Sequence, residues 1–360
     1  MDIEIWFKGQ GGTTCLSVHE FQDTGRGMKA TRSISKGDVV LEIPRNLLVT
    51  RALVERYAPG ASQLPEQCAL ALFLYLLKTD ALPPQLRSFW SSYLGSLPSN
   101  FDSFLSVLPT CTHLPTEATT GIGKQLNTMN EHFDLANRVH ELPDPALWQW
   151  CWLAVNSRCI FASIGRDTMA LAPLLDMINH HPQASTRVEL TGSSFRVLAT
   201  EALVEGTQFF FSYGPHSNWD LWLEYGFVVP GNTSHVSAAH LVRSTFSAPQ
   251  FGAKWALLGQ LGLDTPLALS FPPTYALRMA LTLFFLPSSQ DDAWTKAYQS
   301  GDERPLSDET SFVDQWIARA QALLVRQAQS VNGRQGPDCC CAHALQAIAM
   351  DEIELLLSQN

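Results

Sequence analysis

The chain has 360 residues, enough for two domains and a sizeable core. Hydrophobic residues make up 46% and charged residues 16%, which excludes a disordered chain. With 24 basic and 34 acidic residues the net charge is -10, so there is no basic footprint for nucleic acid, and an acidic surface suits a basic protein partner.

In chain order, the opening Met1-Asp-Ile-Glu-Ile-Trp-Phe7 lacks the basic start and long apolar stretch of a secretory leader. Residues 15–50 read as short strands punctuated by glycine, at 15–18, 29–31 and 39–43, the last stopped by Pro44. From 65 to 157 the period becomes helical. Residues 67–78 are apolar almost all round, as in a buried helix, and 145–157 carries Pro145 in its first turn. The longest apolar run, 69–77, falls short of the roughly 20 residues a bilayer span needs. Residues 172–228 return to strands, at 195–199 and 208–212, with a turn at Glu205-Gly206. Beyond about 235 helices dominate again, at 273–286, at 308–329 behind the N-cap Ser307, and at 351–358. The expected organisation is a domain over 1–230, interrupted by a helical insertion over 65–157, and a second, helical domain over 235–360.

Cys15, Cys68, Cys111, Cys151 and Cys159 are scattered through apolar surroundings, which reads as reduced thiols and a cytosolic or nuclear, soluble, monomeric protein without a membrane anchor. Cys339-Cys-Cys341 with His343 invites a metal reading, but three consecutive cysteines cannot all face one tetrahedral ion without strain, so no metal is expected.

Several short motifs carry chemistry. Gly25-Arg-Gly27 with Ala30 fits a dinucleotide fingerprint, yet Thr31-Arg-Ser-Ile-Ser-Lys-Gly-Asp-Val-Val40 follows, where no helix opens to hold a pyrophosphate. The glycines then read as a turn between strands, either a plain hairpin or one that lets backbone approach a ligand closely. Arg158 ends an aromatic-rich helix, where a guanidinium can cap the C-terminus or meet a carboxylate. His180 and His181 point to opposite faces of an extended chain, which disfavours a metal pair and leaves a buried, hydrogen-bonded histidine. Tyr213 follows Phe209-Phe-Phe-Ser212 and precedes Gly214-Pro215, so it either ends a core strand or turns its hydroxyl into a cleft.

Four stretches occur in order: Asp23-Thr-Gly-Arg-Gly-Met28, Leu174-Leu-Asp-Met-Ile-Asn-His180, Phe211-Ser-Tyr-Gly214 and Trp222-Leu-Glu-Tyr-Gly-Phe227. Together they resemble the SET-domain protein methyltransferases, in the branch that includes the Rubisco large-subunit lysine methyltransferase, over residues 15–230 with a weaker echo to the C-terminus. The resemblance implies an α+β SET-domain fold of short β-strands with a knot-like crossing, a helical insertion and a mostly α-helical C-terminal domain that helps dock a protein substrate. It further implies S-adenosylmethionine as cofactor and methylation of an accessible lysine in a histone or non-histone protein. By the same resemblance Thr24, Gly25, Arg26, Arg158, Asn179, His180 and Tyr213 bind the cofactor, Tyr213 is the catalytic residue, and Asp176 and Tyr225 face the substrate. A relative in this branch methylates histidine and carries Asn where this chain has Ile160, so lysine is the expected acceptor. A SET fold kept only for binding is the other alternative. The chain departs from the family in a short 98–147 segment, in the text of 110–120, and in lacking a tyrosine within 186–190.

Overall fold

The computed structural model describes residues 2–101, 116–184, 186–230, 232, 236–237, 239–263, 268–269, 274–300, 312–320, 322, 325 and 348. The expectations at Cys111, Ser307, Cys339, Cys340, Cys341, His343 and 351–358 lie outside them. The chain divides into two compact units, Met1–Ser103 with Gly121–Gly214 and Glu224–Gly226, and Phe104–Thr120 with Pro215–Leu223 and Phe227–Asn360.

The first unit opens with α1 (Ile3–Gly9), capped by the Asp2 carboxylate. Next come the strands β1 (Thr13–Thr14), β2 (Leu16–Phe21), β3 (Gly25–Ala30) and β4 (Val39–Pro44). Sequence reading placed Gly25–Gly27 in a turn, but all three belong to β3, where Phe21 faces Gly25 and His19 faces Gly27. The reversal occupies 22–24, and Gly25 adopts φ 65, a conformation that glycine reaches without cost.

Among the described residues, five α-helices lie between β4 and the next strand: α2 (Arg51–Glu55), α3 (Glu66–Lys78), α4 (Pro84–Ser96), α5 (Thr116–Val139) and α6 (Pro145–Arg158). In α3 every side chain from Cys68 to Leu77 is buried, so this helix is the core of the insertion, as its uninterrupted apolar text requires. The Asp144 carboxylate accepts from the Leu147 N–H at 3.0 Å and Pro145 opens α6, which explains its start. At its end Cys159 turns to φ -69, ψ 145, and the chain enters the hairpin β5 (Cys159–Ile164) and β6 (Asp167–Leu171) directly from Arg158.

The further described strands of the first unit are β7 (Asn179–His180), β8 (Thr186–Leu190), β9 (Ser194–Ala199) and β10 (Gln208–Phe211). One sheet has the order β1-β4-β9-β8 and the other β2-β3-β10-β7. The strands expected at 195–199 and 208–212 are therefore present but belong to different sheets. The strand at β8 was missed because Thr186-Arg-Val-Glu-Leu190 alternates only weakly. In the second sheet β10 runs antiparallel to β3 and parallel to β7, with Phe210 opposite Asn179 and Phe211 opposite His180.

The second unit contains most of α7 (Asn218–Tyr225), then β11 (Val236–Ser237), α8 (Ala239–Thr245), α9 (Gly252–Gln260), β12 (Ala268–Leu269), α10 (Tyr275–Phe285) and α11 (Asp291–Ser300). Residues 312–320 are helical inside the expected 308–329. Its apolar core gathers Phe246, Phe284, Trp294 and Trp316. The buried Lys254 ammonium donates to the Leu283 and Leu286 carbonyls at the end of α10 and lies 3.5 Å from Asp291.

Candidate active site

The parallel pairing of β7 and β10 brings the conspicuous motifs together. Tyr213 follows β10, and its backbone N–H donates to His180 Nδ1 at 3.1 Å while its hydroxyl donates to the Ile178 carbonyl at 2.8 Å. His180 is thus a structural pin, and the nitrogen that accepts carries no proton. The His181 ring instead stands 5.4 Å from Phe210 and its Nδ1 accepts from the Gln183 N–H, so the two imidazoles are engaged separately.

The Tyr213 ring lies between two others, 5.1 Å from His180 and 4.9 Å from Tyr225. Burial pushes the Tyr213 phenol up to about 12, an effect that Arg158 opposes and Asp176 reinforces. Burial also raises Tyr225, with Glu224 and Cys159 adding to it. Both phenols stay protonated at neutral pH, and neither is a base there.

Asn179 Nδ2 donates to the Thr24 and Arg26 carbonyls, each at 3.2 Å. This amide fastens the reversal before β3 to β7, and it explains the glycine between them. A Cβ on Gly27 would stand 2.8 Å from Asn179 Nδ2 and 2.5 Å from Gln208 Nε2. Gln208 Oε1 in turn accepts from the Thr24 hydroxyl at 2.9 Å, so Thr24, Gly25 and Arg26 are fixed from two strands.

Arg158 is the last residue of α6, and its Nη1 donates to the Asp176 carbonyl at 2.6 Å, in the short 3-10 turn Leu175–Met177. The guanidinium therefore serves that turn; it does not cap its own helix. Leu174, which leads into the turn, is fully buried with φ 68, a conformation costing a non-glycine residue about 1 to 3 kcal/mol. The Asp176 carboxylate is held through Oδ2 by the Tyr93 hydroxyl at 2.8 Å. Two buried atoms of this group have no hydrogen-bond partner, Arg158 Nε and Asp176 Oδ1. Arg26 is pushed down, first by burial and then by the nearby Arg158 charge. Asp176 is pushed up by burial, against the pull of Arg158 and of the Tyr93 hydrogen bond. Arg26 and Arg158 share Asp176, and Glu20 lies opposite Arg26 across the β2–β3 pair.

Sequence reading missed Tyr93, Gln208, Gln67 and Asn156. Gln67 Nε2 donates to Asn156 Oδ1 at 2.9 Å, and Asn156 Nδ2 donates to the Glu224 carbonyl at 3.2 Å, which ties α3 and α6 to the residue before Tyr225. In sequence Tyr93 reads like Tyr75, a core tyrosine in a helix; both are buried.

The fold agrees with the comparisons. A ribosomal lysine N-methyltransferase of Schizosaccharomyces pombe is 29% identical over 238 residues, covering 63% of this chain and 60% of that protein. This chain thus spans less than two thirds of that relative's length. SET domain-containing protein 4 of Mus musculus is 27% identical over 329 residues, covering 82% of this chain and 74% of that protein. Among solved structures, the SET domain of LSMT bound to lysine and AdoHcy superposes with a TM-score of 0.67 at 16% identity, over 99% of this chain and 88% of that one. The model of the SET domain matches residues 25–214, more than half of the sequence, and the chain belongs to the SET-domain family.

Proposed function

We propose that this chain is a protein-lysine N-methyltransferase that uses S-adenosylmethionine. The observation that carries the reading is the buried pair Arg158 Nε and Asp176 Oδ1, a donor and an acceptor without a hydrogen-bond partner among the described residues. The carboxylate of the cofactor's methionine half matches that unpartnered donor. Arg158 would hold the carboxylate, while the backbone of Thr24, Gly25, Arg26, Asn179 and His180 would meet the rest. Asn179 Nδ2 is already engaged with two carbonyls, so its Oδ1 is the atom left to accept from the ammonium.

When bound, the cofactor supplies a methyl group on a positively charged sulfur. The chain's own contribution is orientation and desolvation, since in-line attack needs a neutral amine held in place, and positioning supplies up to about 7 to 11 kcal/mol in well-oriented reactions. The Tyr213 hydroxyl oxygen, fixed by its bond to the Ile178 carbonyl, offers lone pairs to the nucleophile and the transferred methyl. The rings of Tyr213 and Tyr225 wall the lysine, and their low-polarity surroundings disfavour its ammonium form without a general base. Asp176, whose carboxylate faces the same cluster, contributes the negative charge beside the two reactants.

Ile160 supports lysine over histidine as acceptor, because its side chain offers no hydrogen bond to an imidazole, and the name of the Schizosaccharomyces pombe relative points the same way. The acceptor lysine belongs to a histone or non-histone protein. The free thiols Cys15, Cys68, Cys151 and Cys159 support a reducing setting, cytosol or nucleus. The test is radiolabelled methyl transfer from S-adenosylmethionine into a proteome, followed by mapping of the modified residue by mass spectrometry. Label on lysine is expected; label confined to histidine, or no cofactor binding by a well-folded preparation, overturns the reading.

A further inference from the structure

The helical insertion reaches into the site through one side chain that no motif marks. Tyr93 on α4 is fully buried, and its ring packs 6.0 Å from Trp90, which in turn meets Trp6 and Phe73 at 5.7 and 6.0 Å. This aromatic packing fixes where the hydroxyl points, which is at Asp176 Oδ2, 2.8 Å away and 83 residues along the chain. The backbone carbonyl of the same aspartate receives Arg158 Nη1 at 2.6 Å. One residue therefore links the insertion to the guanidinium and to the orphaned Oδ1.

Resting on the function proposed above, we propose that Tyr93 is a positioning residue whose hydroxyl holds the Asp176 carboxylate as a buried anion, so that the site prefers the sulfonium donor to the thioether product. The donor and its product share the same carboxylate, ammonium and ribose. They differ by the methyl group and by one positive charge on sulfur, so a fixed negative charge in a low-dielectric site is the feature that separates them. The groups facing the Asp176 carboxylate are Tyr93 on α4, Arg158 on α6, Arg26 on β3 and Tyr213 after β10. Both phenols stay protonated, so the ionisation of Asp176 is the variable that acid can change. The Tyr93 hydrogen bond favours the ionised carboxylate against its burial.

The experiment is calorimetric titration of the full chain with S-adenosylmethionine and with S-adenosylhomocysteine, from about pH 8 to about pH 6. Tyr93→Phe keeps the ring packing and removes the donor. The expected result is a fall in the preference for the sulfonium donor by about tenfold relative to wild type at the acid end, and a smaller fall at pH 8. A purely structural role would weaken both ligands alike at every pH, and that outcome overturns the proposal. Asp176→Asn keeps an acceptor for the Tyr93 hydroxyl and removes the charge; it must lose the preference across the whole range. An unchanged preference in that variant overturns the proposal however Tyr93→Phe behaves. Wild-type protein that binds neither ligand refutes the cofactor assignment itself.

Discussion

Replacing Tyr213 by Phe removes one atom from the proposed centre and keeps the ring contacts to His180 and Tyr225 at 5.1 and 4.9 Å. The backbone N–H that donates to His180 Nδ1 is also untouched. What disappears is the hydrogen bond to the Ile178 carbonyl, which costs about 0.5 to 1.5 kcal/mol and lowers Tm by no more than about 5 °C in a unit of this size. The effect on chemistry should be larger. A preorganised polar group lost from a reacting centre is worth about 2 to 3 kcal/mol, so the methyl-transfer rate should fall about 30- to 150-fold. Cofactor affinity should stay within about threefold, because the hydroxyl acts on the transition state more than on the bound ground state. The pH profile should keep its shape, since a phenol pushed up to about 12 does not titrate near neutrality. Single-turnover methyl transfer at saturating cofactor, together with calorimetry and a thermal melt, separates these terms. Near-wild-type turnover in a folded variant would reduce Tyr213 to a packing residue, and the assignment of roles would have to be redrawn.

Gly27→Ala brings a methyl group to within 2.8 Å of Asn179 Nδ2, so the amide that fastens Thr24 and Arg26 must move; calorimetry should report cofactor binding weakened about tenfold. In the second unit, Lys254→Met leaves the Leu283 and Leu286 carbonyls without their buried donor, and urea unfolding should show a loss of about 2 to 4 kcal/mol. His132, buried on α5, accepts the Trp152 indole N–H through Nδ1 at 3.1 Å, and burial pushes its pKa below the ordinary 6.5 even though Glu131 pulls the other way. As pH falls through 6.5 the unfolded chain takes up a proton that the folded chain does not, so stability present above that value is lost below it, and urea midpoints of wild type should fall toward pH 5 more steeply than those of His132→Gln.

Much of this site was legible only through the resemblance of four short motifs to a known family, since the residues by themselves left a helix cap, a buried histidine or a core tyrosine open. In the structure Arg158 closes a helix and leads into β5, Asn179 and His180 make up a two-residue strand, and Tyr213 follows a strand before Gly214. The buried α3 was legible from its own residues, since ten consecutive apolar positions leave no exposed face. Tyr93, Gln208 and Asn156 were not legible. Their roles depend on partners 83, 184 and 68 residues away, and nothing in the neighbouring text distinguishes them from packing or solvated residues. The glycines of β3 were misread because a glycine run signals a turn locally, whereas a Cβ at Gly27 would meet the side-chain ends of Gln208 from β10 and Asn179 from β7. Leu174 is the extreme case, since a left-handed leucine follows from no propensity and persists because its fully buried side chain outweighs the strain.

Because α4 and α6 each send a polar group to Asp176, the insertion and the site cannot open independently. Local unfolding of α4 would withdraw Tyr93 from Asp176, and fraying of α6 would withdraw both Asn156 and Arg158. A ligand that binds only the assembled cluster therefore adds its binding free energy to the opening cost of both helices, about 2.7 kcal/mol at a hundredfold excess over Kd. Amide protons far from any ligand atom, in the middle of α4, then exchange about a hundredfold more slowly in the complex. In this sense the insertion is the part of the molecule through which occupancy of the site is felt as rigidity.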